Sequence, residues 1–122
     1  MMKKALIIED DQFMIANLTE LLSLEGFEVQ SFNNGSDALN CARAFRPDII
    51  LSDMRMPGMD GLGVLDAVRG DARIAGTPFI FLTGRSESDQ LHDALNRGAD
   101  GYLIKPFQVH ELLEVINQFL PQ

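Results

Sequence analysis

Three acids in the sequence lie where short apolar runs end. Glu9 and Asp10 follow the run from Ala5 to Ile8, and Asp53 follows the run from Ile49 to Leu51. A carboxylate is a nucleophile for phosphoryl transfer, and the transferred group is itself an anion. Neighbouring carboxylates suit the divalent cation that would offset this repulsion. We infer from this pattern that Asp53 accepts a phosphoryl group.

Two further polar residues follow apolar runs later in the chain. Thr83 comes directly after residues 79–82, and Lys105 comes directly after residues 102–104, which include Tyr102. A hydroxyl group and an ammonium group both donate hydrogen bonds, and the ammonium adds a positive charge that stabilises phosphoryl oxygens. These two side chains therefore complement a phosphorylated carboxylate.

The elements that must position these residues follow from hydrophobic periodicity. Short apolar runs predict five strands, and intervening segments with apolar residues at helical spacing predict five helices. The predicted strands span residues 5–8, 27–32, 48–52, 79–82 and 102–104. The predicted helices begin near residues 14, 36, 62, 86 and 109. This alternation indicates an α/β fold, a parallel sheet covered by helices on both faces, with the less apolar second strand near an edge.

The chemistry-bearing residues all follow predicted strands. In an open parallel sheet, ligands bind outside the carboxyl ends of the strands, where the strand order reverses. We therefore expect Glu9, Asp10, Asp53, Thr83 and Lys105 to gather at one edge of the sheet.

Composition excludes several classes of protein. The 122 residues predict a single domain, residues 1–122, and one cysteine, Cys41, excludes an internal disulfide. The net charge of −8 would repel a phosphate backbone or an anionic lipid surface, so direct binding to nucleic acid or membrane is not expected. No apolar run approaches the roughly 20 residues that cross a bilayer, and the composition suits the reducing cytoplasm.

Four motifs give the chain its resemblance to a known family. The segments IIEDD, ILSDMRMPGMDG, FLTG and YLIKPF follow one another in the order found in response regulators. The whole chain resembles the receiver domain of two-component signalling, as in the chemotaxis regulator. The resemblance implies a flavodoxin-like (βα)5 fold, a doubly wound five-stranded parallel sheet in the order 2-1-3-4-5.

The resemblance also implies a role for each acid of the site. Asp53 matches the phosphoacceptor of the family. The implied cofactor is Mg²⁺, with Mn²⁺ as an alternative, and its ligands would be Asp10, Asp53 and the backbone carbonyl of Arg55. Glu9 would act through water. Relatives often carry aspartate at its position, so direct ligation by Glu9 stays open as an alternative.

The matching residues on the fourth and fifth strands are expected to respond to phosphorylation. In the family, Lys105 pairs with Asp53 and then with the phosphoryl oxygens, and the Lys105-Pro106 peptide bond is cis. Thr83 moves toward the phosphate and Tyr102 turns inward behind it, which makes this pair the switch. Arg55 and Arg85, two residues beyond Asp53 and Thr83, are expected to set the lifetime of the acyl phosphate.

The implied partners come from the same resemblance. The phosphoryl donor would be a sensor histidine kinase or a histidine phosphotransfer protein. The output surface would be the fourth helix, fifth strand and fifth helix, from Glu87 to Phe119, and it would bind a downstream protein effector. The domain is expected to be a stand-alone signalling switch, not an enzyme, and to be monomeric or to dimerise on phosphorylation.

Three alternatives remain open from the sequence. The chain could be a receiver module excised from a larger response regulator or a hybrid kinase. It could be a phosphatase with an aspartyl nucleophile, although Arg55 lies where such enzymes usually need a second acid. It could be a flavin-binding electron carrier of the same topology, although the loop after the first strand is acidic, unlike a phosphate cradle rich in Gly, Ser and Thr.

Overall fold

A computed structural model describes residues 2–84 and 88–120, with the side chain of Ser88 left out. Five strands and five helices alternate strictly along the chain. In chain order they are β1 (Lys3–Ile8), α1 (Gln12–Leu24), β2 (Phe27–Phe32), α2 (Gly35–Phe45), β3 (Ile49–Asp53), α3 (Gly61–Arg69), β4 (Phe79–Thr83), α4 (Ser88–Asn96), β5 (Gly101–Ile104) and α5 (Val109–Phe119). Among these described residues, no helix is long and apolar enough to span a membrane.

The strands form one sheet in the order β2-β1-β3-β4-β5, and every neighbouring pair is parallel. This confirms the flavodoxin-like fold and the edge position of β2. The strand order reverses between β1 and β3, so the crevice for a ligand lies at their carboxyl ends. In the parallel register of β1 and β3, Ile8 pairs with Ser52. The next residues, Glu9 and Asp53, therefore lie side by side.

Alternating side chains of the strands build two hydrophobic cores, one on each face of the sheet. On β1, Leu6 and Ile8 join one core while Ala5 and Ile7 join the other. The first core is closed by buried residues of α2, α3 and α4, and the second is closed by buried residues of α1 and α5. Central strands β3 and β4 are buried along their whole length, which explains why they read as unbroken apolar runs.

Caps and tight turns explain where the elements begin and end. Asp11 accepts hydrogen bonds from the backbone N–H groups of Phe13 and Met14 and so caps α1. Gly98, with φ of +112°, ends the α4 segment, as its position after the helix predicted. The predicted boundaries differ from the observed ones by one residue at several ends and by two at the starts of β1 and α1, and β3 includes Asp53 as its last residue.

Candidate functional site

The buried polar side chains of the described residues gather at one edge of the sheet. Glu9, Ser52, Asp53 and Thr83 are all less than a tenth exposed. They lie at the carboxyl ends of β1, β3 and β4, the edge at which the sequence predicted a site. Burying polar and charged groups costs free energy, so this concentration indicates a functional site rather than a packing feature.

Three acids of this edge could share one cation. Glu9, Asp10 and Asp53 each offer a carboxylate oxygen, and these oxygens lie within 4.8 Å of one another. Glu9 and Asp53 are buried, whereas Asp10 is exposed and faces the open side. An all-oxygen donor set of this kind fits the preference of Mg²⁺, which binds one or two carboxylates and keeps several waters.

Lys105 lies against the acids from the opposite side of the site. Its Nζ atom donates hydrogen bonds to Glu9 Oε2 at 3.0 Å and to Glu9 Oε1 at 3.3 Å. It also lies 3.6 Å from Asp53 Oδ1. Lys105 therefore contacts both buried acids, but its closer partner is Glu9, which sequence reasoning did not identify. The peptide bond between Lys105 and Pro106 is cis, as the resemblance implied.

The protonation equilibria of this ion pair reflect its burial. Burial raises the pKa of Glu9 to about 6, and the charge of Asp53 contributes to the rise, while the hydrogen bond and the charge of Lys105 oppose it. Burial also lowers the pKa of Lys105, but its hydrogen bond to Glu9 and the charges of Glu9 and Asp53 outweigh that effect and raise it. Lys105 is therefore protonated, and its ammonium group lies between the carboxylates of Glu9 and Asp53.

Asp53 is positioned by a close approach between β3 and the start of α3. The backbone N–H of Gly61 donates a hydrogen bond to the carbonyl of Met54 at 2.9 Å. A Cβ atom at position 61 would overlap the carbonyl oxygen of Asp53 and would lie 2.7 Å from the Phe81 ring. Glycine is therefore required here so that the loop can return to the end of β3. In the sequence, Gly61 is identified only as the last residue of the ILSDMRMPGMDG motif.

The two switch candidates differ in exposure. Thr83 is fully buried, and its hydroxyl donates a hydrogen bond to the carbonyl of Gly84 at 3.2 Å. Tyr102, on edge strand β5, is 43% exposed, so its ring faces outward in this structure. Thr83 pairs with Ile104 in the β4–β5 register, and Lys105 donates its backbone N–H to the carbonyl of Thr83 at 2.7 Å. The register thus links Thr83 directly to Lys105.

The remaining sequence candidates lie outside this buried group. Arg55 is exposed in the loop after β3. Arg85, the other expected modulator, lies outside the described residues. So do Ser86, near which the fourth helix was predicted to begin, and Glu87 at the start of the expected output surface. Of the three methionines in the motif after β3, Met54 and Met56 are buried in the core beside the site, whereas Met59 is exposed.

Comparison with known proteins gives the same identification. The family model of the response regulator receiver domain matches residues 5–117. The DNA-binding response regulator MtrA of Mycolicibacterium smegmatis is 36% identical over 113 residues, which are 93% of this chain and 48% of MtrA. The chain therefore spans about half the length of the curated relatives it matches.

Solved structures resemble this one over nearly the whole chain. The chemotaxis response regulator CheY4 of Vibrio cholerae superposes with a TM-score of 0.91 at 32% identity, covering 98% of this chain and 100% of that one. The receiver domain of the sensor histidine kinase PA1611 of Pseudomonas aeruginosa superposes with a TM-score of 0.88 at 27% identity, covering 98% of each chain. That structure holds a magnesium ion coordinated in its active site cleft. The chain belongs to the response regulator receiver domain family.

Proposed function

We propose that Asp53 is the phosphoacceptor of this receiver domain. The observation that carries the proposal is the position of its carboxylate at the end of β3, where Glu9, Asp10 and Lys105 converge on it. Glu9 is the other buried acid of this cluster, but both of its carboxylate oxygens already accept hydrogen bonds from Lys105, whereas Asp53 lies at the end of central strand β3. The geometry suits phosphoryl transfer, because catalysis of that reaction consists mainly of positioning and charge stabilisation.

The proposed transfer follows from the atoms at the site. An Asp53 carboxylate oxygen forms a bond to phosphorus while the phosphorus–nitrogen bond of a donor phosphohistidine breaks, and the imidazole keeps the electron pair. Asp10, Asp53 and the carbonyl of Arg55 would hold Mg²⁺, or Mn²⁺ in its place, with Glu9 as a further acidic neighbour. When bound, the cation supplies positive charge that offsets the repulsion between carboxylate and phosphoryl oxygens.

Lys105 and Thr83 serve the phosphorylated state in this proposal. The Lys105 ammonium lies 3.6 Å from Asp53 Oδ1, close enough to reach an oxygen of a phosphoryl group attached there. Thr83 is the last residue of the neighbouring strand, β4. Its hydroxyl can exchange its hydrogen bond to the Gly84 carbonyl for one to the phosphoryl group. The movement of Thr83 would make room for Tyr102, whose exposed ring then turns inward.

The output of this switch is a protein surface. Leu95 on α4 and Tyr102 and Ile104 on β5 are all more than a third exposed. Apolar side chains exposed on neighbouring elements favour a protein partner, and the net charge of −8 disfavours nucleic acid. We therefore assign the surface formed by α4, β5 and α5, residues 88–119, to a downstream effector protein or to a second copy of the phosphorylated domain.

The phosphoryl donor is a histidine kinase or a histidine phosphotransfer protein in this proposal. Response regulator receiver domains work with histidine kinases, and the structural relative PA1611 is itself the receiver of a sensor histidine kinase. The curated relatives MtrA, a DNA-binding response regulator, and PrrA, a transcriptional regulatory protein, are about twice the length of this chain. A receiver module of a larger regulator or of a hybrid kinase is therefore compatible with every observation, and the domain boundary of 1–122 stays a prediction.

Acetyl phosphate provides a direct test of the proposal. Incubation with acetyl phosphate and Mg²⁺ should increase the intact mass of the protein by one phosphoryl group. The increase should require Mg²⁺ and should vanish in Asp53→Asn. Asp66→Asn, which removes an exposed carboxylate on α3, is the matched control and should be phosphorylated as the unsubstituted protein is. Equal phosphorylation of Asp53→Asn would contradict the proposal.

A further inference from the structure

The shortest contact between opposite charges in the site joins Lys105 to Glu9. The Lys105 Nζ atom lies 3.0 Å and 3.3 Å from the two carboxylate oxygens of Glu9, but 3.6 Å from the nearest oxygen of Asp53. The ammonium is therefore bound chiefly by Glu9 and only secondarily by Asp53.

The carboxylate of Glu9 is itself held in a fixed orientation. Its Oε1 atom accepts a hydrogen bond from the backbone N–H of Asp11 at 3.3 Å, and its side chain is 1% exposed. Glu9, the residue after β1, is thus held inward by a hydrogen bond from Asp11, the residue that also caps α1. A buried carboxylate in this position requires a cationic partner, and Lys105 is that partner in the structure.

The length of the glutamate side chain makes this contact possible. Strands β3 and β4 lie between β1 and β5, so the backbones that carry Glu9 and Lys105 are about 14 Å apart at the usual strand spacing. The two side chains meet across the ends of the intervening strands. An aspartate at position 9 would withdraw the carboxylate by the length of one methylene group and would open the contact.

We propose that Glu9 is a positioning residue for Lys105: its carboxylate holds the ammonium, and the ammonium competes with a divalent cation for that carboxylate. The inference rests on the proposed function, because the same site is taken to bind Mg²⁺. Both oxygens of Glu9 already contact the ammonium, and two cations that share one carboxylate repel each other. Metal binding would therefore loosen the contact between Lys105 and Glu9 and free the ammonium for the oxygens of an incoming phosphoryl group.

A double-mutant cycle of metal affinity tests this competition. The dissociation constant for Mn²⁺ would be measured from the electron paramagnetic resonance signal of the free ion, without any phosphoryl donor. The four proteins are the unsubstituted chain, Lys105→Met, Glu9→Gln and the double variant. Lys4→Met is the matched control, since Lys4 contacts the Phe45 carbonyl and ring, away from the acids, and its loss changes the net charge equally.

The expected result is a strong dependence of one substitution on the other. Lys105→Met should tighten Mn²⁺ binding roughly tenfold when Glu9 is present and less than twofold in Glu9→Gln, while Lys4→Met changes it less than twofold. A ratio of fivefold or more between the two effects of Lys105→Met supports the proposal. Any smaller ratio overturns it, because the lysine would then repel the metal without competing for Glu9.

A measurement on the unsubstituted protein does not depend on the folding of any variant. The chain has three lysines, Lys3, Lys4 and Lys105, so their ammonium groups can be resolved by nitrogen-15 NMR. A Lys105 ammonium held by Glu9 should give a signal protected from solvent exchange, and saturation with Mg²⁺ should shift or abolish it. A signal that Mg²⁺ leaves unchanged would overturn the proposal. Phosphorylation of Asp53 is tested separately with acetyl phosphate. The proposal for Glu9 and the proposal for Asp53 can therefore each be refuted while the other stands.

Discussion

An alanine at position 61 should disturb the phosphoacceptor through the backbone alone. Gly61 begins α3, and a Cβ atom there would overlap the Asp53 carbonyl oxygen, lie 2.7 Å from Phe81 and lie 3.0 Å from the Met54 Cα atom. Real Cβ atoms essentially never come within 3.0 Å of other heavy atoms. Two of these three contacts are to backbone, so the end of β3 or the start of α3 must move.

The size of the effect follows from these contacts. Overpacking of a close-packed region costs about 1 to 3 kcal/mol, and the better helix propensity of alanine returns up to about 1 kcal/mol. The free energy of unfolding of Gly61→Ala should therefore fall by about 1 to 2 kcal/mol. Misplacing a reacting group by about 1 Å can cost about 100-fold in rate, so a smaller shift of Asp53 should slow phosphorylation roughly tenfold.

Two assays on the same proteins test this reasoning. Urea unfolding gives the stability, and intact-mass measurement gives the rate of phosphorylation by acetyl phosphate with Mg²⁺. Gly76→Ala is the matched control, because a Cβ atom at that position would meet no heavy atom within 4 Å beyond its chain neighbours, and its stability should be unchanged or slightly higher. If Gly61→Ala matches the unsubstituted protein in both assays, the close approach does not position Asp53.

Three further substitutions test contacts that hold the scaffold. Arg73 and Arg43 keep the pKa of Asp71 well below its usual range, so Asp71→Asn should lower stability at pH 7. In urea unfolding, its difference from the unsubstituted protein should begin to shrink below about pH 4 and should close only when the pH falls below the lowered pKa of the folded protein. Arg69→Met removes hydrogen bonds to the carbonyls of Ala75, Thr77 and Gly98 and should cost about 2 kcal/mol by the same method. Asn34→Ala removes the N-cap of α2 and should cost about 1 kcal/mol in thermal unfolding.

Each of these predictions has a control and a contradicting result. The pH prediction fails if the destabilisation of Asp71→Asn is the same at about pH 5 and about pH 2, because the stability from an ionised Asp71 is lost as the pH falls from its unfolded-state pKa toward its lowered folded-state pKa. Arg97→Met breaks only exposed ion pairs and should cost less than about 0.5 kcal/mol; an equal loss in Arg69→Met would refute its anchoring role. Ser36→Ala, at an exposed position in the first turn of α2, is the neighbour control for the N-cap, and equal effects at positions 34 and 36 would refute the cap.

Most of the fold and the membership of the site followed from sequence pattern. The buried strands β3 and β4 read as continuous apolar runs, and their ends carry Asp53 and Thr83. The carboxyl ends of parallel strands meet at one edge of a sheet, so the positions of Glu9 and Lys105 followed as well. These inferences hold because they depend on local periodicity and on topology, both of which one sequence carries.

Contacts between distant side chains did not follow from sequence. Lys105 was expected to pair with Asp53, but the distance that decides its closer partner depends on the reach of Glu9 across two intervening strands. Gly61 was recognisable only as the last residue of a motif, because its function depends on the backbone of Asp53, eight positions earlier in the chain. Both features arise from the packing of elements against one another, which no local pattern reports.

The phosphorylated residue itself can be located chemically. Borohydride reduces an acyl phosphate of aspartate to homoserine, and peptide mass spectrometry then identifies the converted position. After treatment with acetyl phosphate and Mg²⁺, the conversion should occur at Asp53 and at none of the other acids, including its neighbours Glu9 and Asp10 in the site. Conversion at another carboxylate, with Asp53 intact, would contradict the assignment of Asp53 as the phosphoacceptor.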